Sequence, residues 1–168
     1  MAELGTKVDD QPKLSPKSDP PRGFFPASVD DRGRLKLPVD FQQFLNGTGD
    51  QMLYVTSTDG DIARLYPISV WKENEKFLDD LAKEDPAAAD SLAFITQHYG
   101  AEAKMDTQGR VTLPTELRRE LKLEGEVRVG CVLGAINIYS QEKYNAYLDN
   151  SRANLGTKLS TARMKGFR

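Results

Sequence analysis

The chain has 168 residues, 39% of them hydrophobic and 29% charged, which is typical of a soluble globular protein of one ordinary domain or two very small ones. Its single cysteine, Cys131, excludes an internal disulfide and favours a reducing compartment. The longest mostly apolar stretch, Val129 to Tyr139, is too short to span a bilayer, and the polar N-terminus predicts no secretory signal. Because the net charge is −2, any contact with nucleic acid requires a local basic patch.

Both ends of the chain have the composition of irregular tails. Residues 1–21 hold four prolines among Ser, Lys and Asp, with few large apolar side chains. Such a segment buries too little apolar area to offset the entropy of ordering it, so we expect a disordered arm. Residues 149–168 are small and polar, with five Lys or Arg and one acid. They predict a second, basic tail that is disordered unless a partner orders it.

An internal repeat fills the middle of the chain. The stretch VDDRGRLKLP, residues 29–38, recurs 76 positions later as MDTQGRVTLP, residues 105–114. The identical pairs are Asp30/Asp106, Gly33/Gly109, Arg34/Arg110, Leu37/Leu113, Pro38/Pro114 and Leu45/Leu121. Each half alone is too small to bury a comfortable core, so the two copies are expected to intertwine around one shared core with pseudo-two-fold symmetry.

The same elements are predicted in each copy, in the same order. A tight turn at the glycine precedes a short strand with one apolar face, and a proline ends that strand where a short helix can begin. Two β-rich runs follow, MLYVTST and ARLYP in the first copy, EVRVGCV and AINIY in the second. Closing helices are predicted at about 69–82 and 141–149, and a further helix at about 87–98 links the copies.

An Asp and an Arg four residues apart flank each turn. One interpretation is structural: the carboxylate accepts hydrogen bonds from the turn and pairs with the Arg. The other is functional: the loop projects an Arg whose planar guanidinium suits phosphates or guanine edges, while the Asp orients it. The D-x-x-x-R spacing alone is a weak signal. The whole frame, D-x-x-G-R-ϕ-x-L-P, occurs twice in equivalent places, which favours the functional interpretation.

Both frames, together with LYPISVW at 65–71 and the run at 109–139, resemble the MraZ family over about residues 22–148. Its members are bacterial transcriptional regulators built from two swapped-hairpin, AbrB-like modules in one chain. The resemblance implies rings of subunits that bind repeated DNA sites. These rings would repress their own promoter and a division and cell-wall gene cluster. It also implies a cytoplasmic protein that is associated with the nucleoid. The resemblance implies that Asp30, Arg34, Asp106 and Arg110 belong to DNA-facing loops. We expect two neighbouring cations, Arg32 and Lys36, to assist them in binding DNA.

The fold class expected from the repeat and the resemblance together is α+β. Two intertwined AbrB-like βαβ repeats form one pseudo-symmetric small barrel, with flanking helices and disordered tails. The expected segments are the arm at 1–21, a first module at 22–85, a linker helix at 86–98, a second module at 99–148 and the basic tail at 149–168.

Other kinds of chemistry have little support in the sequence. His98 has no Cys or carboxylate cluster at ligand spacing, and neither a Ser/His/Asp set nor a Gly-rich phosphate loop is apparent. We therefore expect no enzyme, no cofactor, no metal site, no membrane contact and no small-molecule substrate. The expected partners are double-stranded DNA and further copies of the chain. Two alternatives stay open: an AbrB-like antitoxin whose tail wraps a toxin, and a scaffold ring without DNA readout.

Overall fold

A computed structural model describes residues 19–168, so residues 1–18 of the predicted N-terminal arm lie outside the described part. Eight strands and six helices lie within that part. The strands are β1 Phe25–Val29, β2 Arg34–Lys36, β3 Leu53–Thr56, β4 Ala63–Pro67, β5 Ala101–Ala103, β6 Arg110–Thr112, β7 Gly125–Val132 and β8 Ala135–Ser140. The helices are α1 Val39–Gly47, α2 Ile68–Glu84, α3 Pro86–His98, α4 Thr115–Glu120, α5 Gln141–Arg152 and α6 Leu155–Met164.

The eight strands form one antiparallel sheet in the order β5-β3-β4-β8-β7-β1-β2-β6. The two strands at the ends of that order, β5 and β6, follow each other in the chain. Across the turn between them the Asp106 amide donates to the Arg110 carbonyl at 2.9 Å. The sheet is therefore a nearly closed barrel, and the predicted α+β barrel is confirmed.

Strand register shows how the two copies interlock. In the pairing of β1 with β7, Phe25 stands opposite Val129. In the pairing of β5 with β3, Ala101 stands opposite Val55. Phe25 and Ala101 are 76 residues apart, so they occupy the same place in the repeat. Each copy thus lends its first strand to the hairpin of the other, which confirms the predicted intertwining.

A pseudo-two-fold axis relates the copies and passes through two strand pairs on opposite sides of the barrel. One is β2 with β6, where Leu35 pairs with Val111. The other is β4 with β8, where Arg64 pairs with Asn137.

The core lies inside the barrel and draws the same positions from both copies. Leu35 and Val111 are both fully buried at the axis. Further buried pairs of equivalent residues are Leu37/Leu113, Phe41/Leu117 and Leu45/Leu121. Burying a Leu or Phe side chain fully contributes about 1.5–3 kcal/mol, so the shared core stabilises both copies together.

Prolines mark where the first helix of each copy begins. Pro38 and Pro114 occupy the N-cap positions of α1 and α4, as the sequence predicts. The linking helix α3 starts at Pro86, where a missing amide hydrogen is harmless, and the Asp85 carboxylate accepts a hydrogen bond from the Ala88 amide at 3.1 Å. Within residues 19–168 no helix is long and apolar enough to cross a membrane.

The expectation of a disordered C-terminal tail is wrong. Helix α5 continues to Arg152 and α6 follows it, although α6 buries no residue. Within α6 the Ser160 and Thr161 hydroxyls donate to the carbonyls of Gly156 and Thr157, one turn earlier. The sequence argument judged order by apolar burial alone, and a helix such as α6 that buries no residue gives no signal by that criterion.

Candidate functional site

The first candidate loop, loop 1 (residues 30–34), is folded around the Asp30 carboxylate. Its Oδ1 accepts from the backbone amides of Arg32 at 3.0 Å and Arg34 at 2.9 Å. Its Oδ2 accepts from Arg34 Nε at 2.8 Å. Gly33 completes the turn with φ of +75°, a conformation that glycine adopts without steric cost. The short acceptor side chain and the glycine together explain why the chain reverses here.

Loop 2 (residues 106–110) repeats this arrangement. Asp106 Oδ1 accepts from the backbone amides of Gln108 and Arg110, both at 2.9 Å, and Oδ2 accepts from Arg110 Nε at 2.8 Å. Gly109 also has φ of +75°. The two copies therefore build the same loop, and in both the arginine Nε donates to the aspartate Oδ2.

Hydrogen bonding lowers the pKa of both aspartates below the ordinary aspartate value. For Asp30 the largest cause is the bond from the Arg34 backbone amide, with the Arg34 guanidinium adding to it against partial desolvation. For Asp106 the Arg110 backbone amide and guanidinium act in the same way and lower its pKa. Both carboxylates are therefore ionised at neutral pH.

The structural interpretation of the Asp–Arg spacing applies to the aspartates, and the functional interpretation applies to the arginines. The carboxylates are occupied by the turn, so the aspartates shape the loops. Within the described residues, the arginines are held through Nε. Among residues 19–168 no hydrogen bond involves the terminal nitrogens of Arg34 or Arg110, whose side chains are 27% and 26% exposed. Each guanidinium is thus oriented by one edge and can donate from the other.

Both arginines lie on one outward face of the β2–β6 ribbon. Leu35 and Val111 point into the core, so their neighbours on each strand point outward. In the register Arg34 stands opposite Thr112 and Lys36 opposite Arg110. Arg34 and Arg110 are then diagonal neighbours, which in an antiparallel pair are about 7–8 Å apart.

Backbone bonds brace each loop against the other copy. The Leu37 amide donates to the Gly109 carbonyl at 3.0 Å, and the Leu113 amide donates to the Gly33 carbonyl at 2.9 Å. Lys36 Nζ also donates to the Gln108 carbonyl, which engages one of the predicted helper cations in loop 2. The two loops therefore form a single rigid surface.

The other predicted helper, Arg32, is exposed in loop 1. Its backbone amide is bound by Asp30, while no partner for its guanidinium occurs in the described part of the chain.

His98 has acidic neighbours, contrary to the expectation from sequence spacing. With Glu116 and Glu120 it offers ligand-type atoms within 4.8 Å of one another. The end of α3 meets α4 here, a contact that the separation along the chain conceals. Both carboxylates already have protein partners: Arg119 pairs with Glu116, and Glu120 accepts a hydrogen bond from the Tyr99 hydroxyl, which raises the pKa of Tyr99 to about 12. His98 Nε2 itself lies 3.3 Å from Glu120.

The fold and the paired loops define a class of protein: one chain in which two interlocked copies of a module present two arginine loops on one ribbon. Comparison with known proteins agrees. The sequence model of the family described as "MraZ protein, putative antitoxin-like" matches residues 100–167.

Several relatives named transcriptional regulator MraZ are similar over most of their length. The Acidobacterium capsulatum protein is 33% identical over 128 residues, 76% of this chain and 87% of that protein. The Koribacter versatilis protein is 41% identical over 109 residues, 64% and 74% of the two chains. The Syntrophotalea carbinolica protein is 31% identical over 150 residues, 87% and 98%. The chain therefore belongs to the MraZ family.

Proposed function

We propose that the protein is a sequence-specific, DNA-binding transcriptional regulator that contacts double-stranded DNA through loops 1 and 2. The observation that carries the proposal is the pair of outward arginines, Arg34 and Arg110. Each is fixed by its aspartate through Nε, and in residues 19–168 the terminal nitrogens have no protein partner. The names of the relatives support a regulatory, non-enzymatic role.

The dimensions of the ribbon suit the major groove. That groove admits a two-stranded antiparallel ribbon, and an arginine there can donate two hydrogen bonds to the O6 and N7 atoms of a guanine. A spacing of about 7–8 Å between the arginines corresponds to about two base-pair steps. Because Asp30 and Asp106 hold the arginines beforehand, less side-chain entropy is lost on binding. Arg32 and Lys36 lie beside the loops and supply further positive charge.

Binding by one subunit should be weak, because residues 23–148 carry 14 basic and 20 acidic residues, a net charge of −6. We propose that assembly of several subunits compensates for this weak binding. The fused copies already use the two-fold symmetry of a module pair, so further association would be head-to-tail, which either closes into a ring or runs on as a filament. The family resemblance favours a ring. Linked subunits on repeated sites raise avidity about 10²–10⁴-fold. In keeping with the family resemblance, the targets would be the protein's own promoter and a division and cell-wall gene cluster, in the nucleoid.

A gel shift tests this proposal. The probe is DNA from upstream of the protein's own gene, compared with a scrambled duplex of equal length. We expect tight binding to the native probe, weak binding to a fragment that holds a single repeat, and a light-scattering mass above one subunit. Arg34→Ala and Arg110→Ala should each weaken binding by about 1–3 kcal/mol per base contact, multiplied over the ring.

Circular dichroism has to confirm that both variants are folded, since the arginines also complete the loops. Folded variants that bind the native probe as well as the parent would refute the loop assignment. In that case a scaffold ring without DNA readout becomes the favoured function if the protein is still oligomeric. The antitoxin function is favoured if the C-terminal helices instead bind and neutralise a toxin.

A further inference from the structure

Each loop glycine is covered by a side chain from the other copy. Arg118 of α4 lies over Gly33 in loop 1, and Gln42 of α1 lies over Gly109 in loop 2. Residues 42 and 118 are 76 positions apart, so they are equivalent in the repeat. A Cβ atom at either glycine would collide with the covering side chain, which shows how closely both side chains approach the loops.

The two covering side chains differ in how they are bonded. The Gln42 amide donates to the Leu37 carbonyl at 2.7 Å and so belongs to the frame of its own copy. For the Arg118 guanidinium, no hydrogen bond or ion pair occurs among the described residues, although the side chain is partly buried. Its neighbour Arg119, by contrast, is paired with Glu116. A partly buried cation without an acidic partner costs desolvation energy, so a structural role explains Gln42 better than Arg118.

We propose that Arg118 is an additional DNA contact of loop 1, which binds the phosphodiester backbone next to the base read by Arg34. The guanidinium is planar, carries five donors and suits a phosphate. It lies against the turn that positions Arg34. Loop 2 has an amide at the equivalent place, so the two loops would hold DNA unequally. This inference rests on the proposed DNA-binding function and deepens it.

Two single substitutions on one helix test the inference. Arg118→Gln removes the guanidinium that lies over Gly33, and Arg119→Gln removes an equal charge one residue away. Glutamine should be tolerated at 118, because the chain itself uses glutamine at the equivalent position 42. Affinity for a fluorescein-labelled duplex from upstream of the protein's own gene is measured by anisotropy over a range of salt concentrations.

Loss of one phosphate contact reduces the steepness of a plot of log association constant against log salt concentration by about 0.9. At about 0.1 M salt this corresponds to an affinity about eightfold lower. We expect this loss, or a multiple of it when several subunits bind, for Arg118→Gln and not for Arg119→Gln. A third variant, Gln42→Arg, should make the slope steeper by a similar amount. It adds a cation without removing Arg118, so it tests the inference even if Arg118→Gln fails to fold.

The outcomes separate the inference from the function on which it rests. If the parent binds and folded Arg34→Ala does not, while Arg118→Gln matches the parent, the Arg118 contact is refuted and the DNA-binding function stands. Equal losses for Arg118→Gln and Arg119→Gln also refute it, because they indicate a general charge effect. If Arg118→Gln does not fold, an unchanged slope for Gln42→Arg refutes it. A parent protein that does not bind the probe refutes both proposals.

Discussion

Replacing Gly109 with alanine should destabilise the protein by about 1.5–3.5 kcal/mol, the sum of two separate costs. The first is conformational: φ at Gly109 is +75°, where an alanine costs about 1–2 kcal/mol. The second is a collision, because the new Cβ atom meets the Gln42 carboxamide. That side chain has to move and give up its bond to the Leu37 carbonyl, at about 0.5–1.5 kcal/mol.

Urea denaturation followed by the fluorescence of Trp71, the only tryptophan, measures the change. Gly125→Ala is the matched control: φ there is +63°, and among residues 19–168 no atom lies within 4 Å of the place that an alanine Cβ would occupy. It should therefore show the conformational cost alone.

A double substitution isolates the second cost. In a Gln42→Ala background, where the collision is removed, Gly109→Ala should cost no more than Gly125→Ala. If Gly109→Ala and Gly125→Ala cost the same in the parent background, or if Gln42→Ala fails to shrink the effect, the contact between the copies does not constrain loop 2 as described.

Two further predictions concern titratable groups. Backbone hydrogen bonds are the main reason why the pKa of Asp30 and of Asp106 is lower in the folded protein than in the unfolded chain. Their contribution to stability is therefore fully present above the unfolded-chain pKa of about 3.9. It is lost as the pH falls through the lower folded-state pKa. The acid fall in urea midpoint should therefore be shallower in Asp30→Asn than in the parent, and an identical fall would contradict this cause. Burial raises the pKa of the Cys131 thiol to about 11, so Ellman's reagent should react slowly at about pH 8 and rapidly once urea unfolds the protein; fast reaction in the folded state would refute it.

Local patterns in the sequence predicted most elements and both loops, because each depends on residues close together in the chain. The turn glycines, the alternation around Leu35 and Val111, and the helix starts at Pro38 and Pro114 are all of this kind. The repeat also predicted the intertwining, since neither half can bury its apolar face alone.

Contacts between the copies were not predictable from local patterns. Arg118 reaches Gly33 across 85 positions, and Glu120 reaches His98 across 22. No periodicity within one element reports which distant element it meets. The position of Arg118 over loop 1 is therefore a property of the assembled fold, whereas the D-x-x-x-R spacing is visible in the chain itself.

The pseudo-two-fold axis has an evolutionary consequence. In a symmetric dimer of one module, every substitution is made in both loops at once, and a change that helps one half of an asymmetric target harms the other. Joining the copies in one gene lets each mutate alone. Gln42 and Arg118 already differ at equivalent positions, beside turns that have the same geometry. Fusion thus allows a nearly symmetric barrel to specialise one loop at a time.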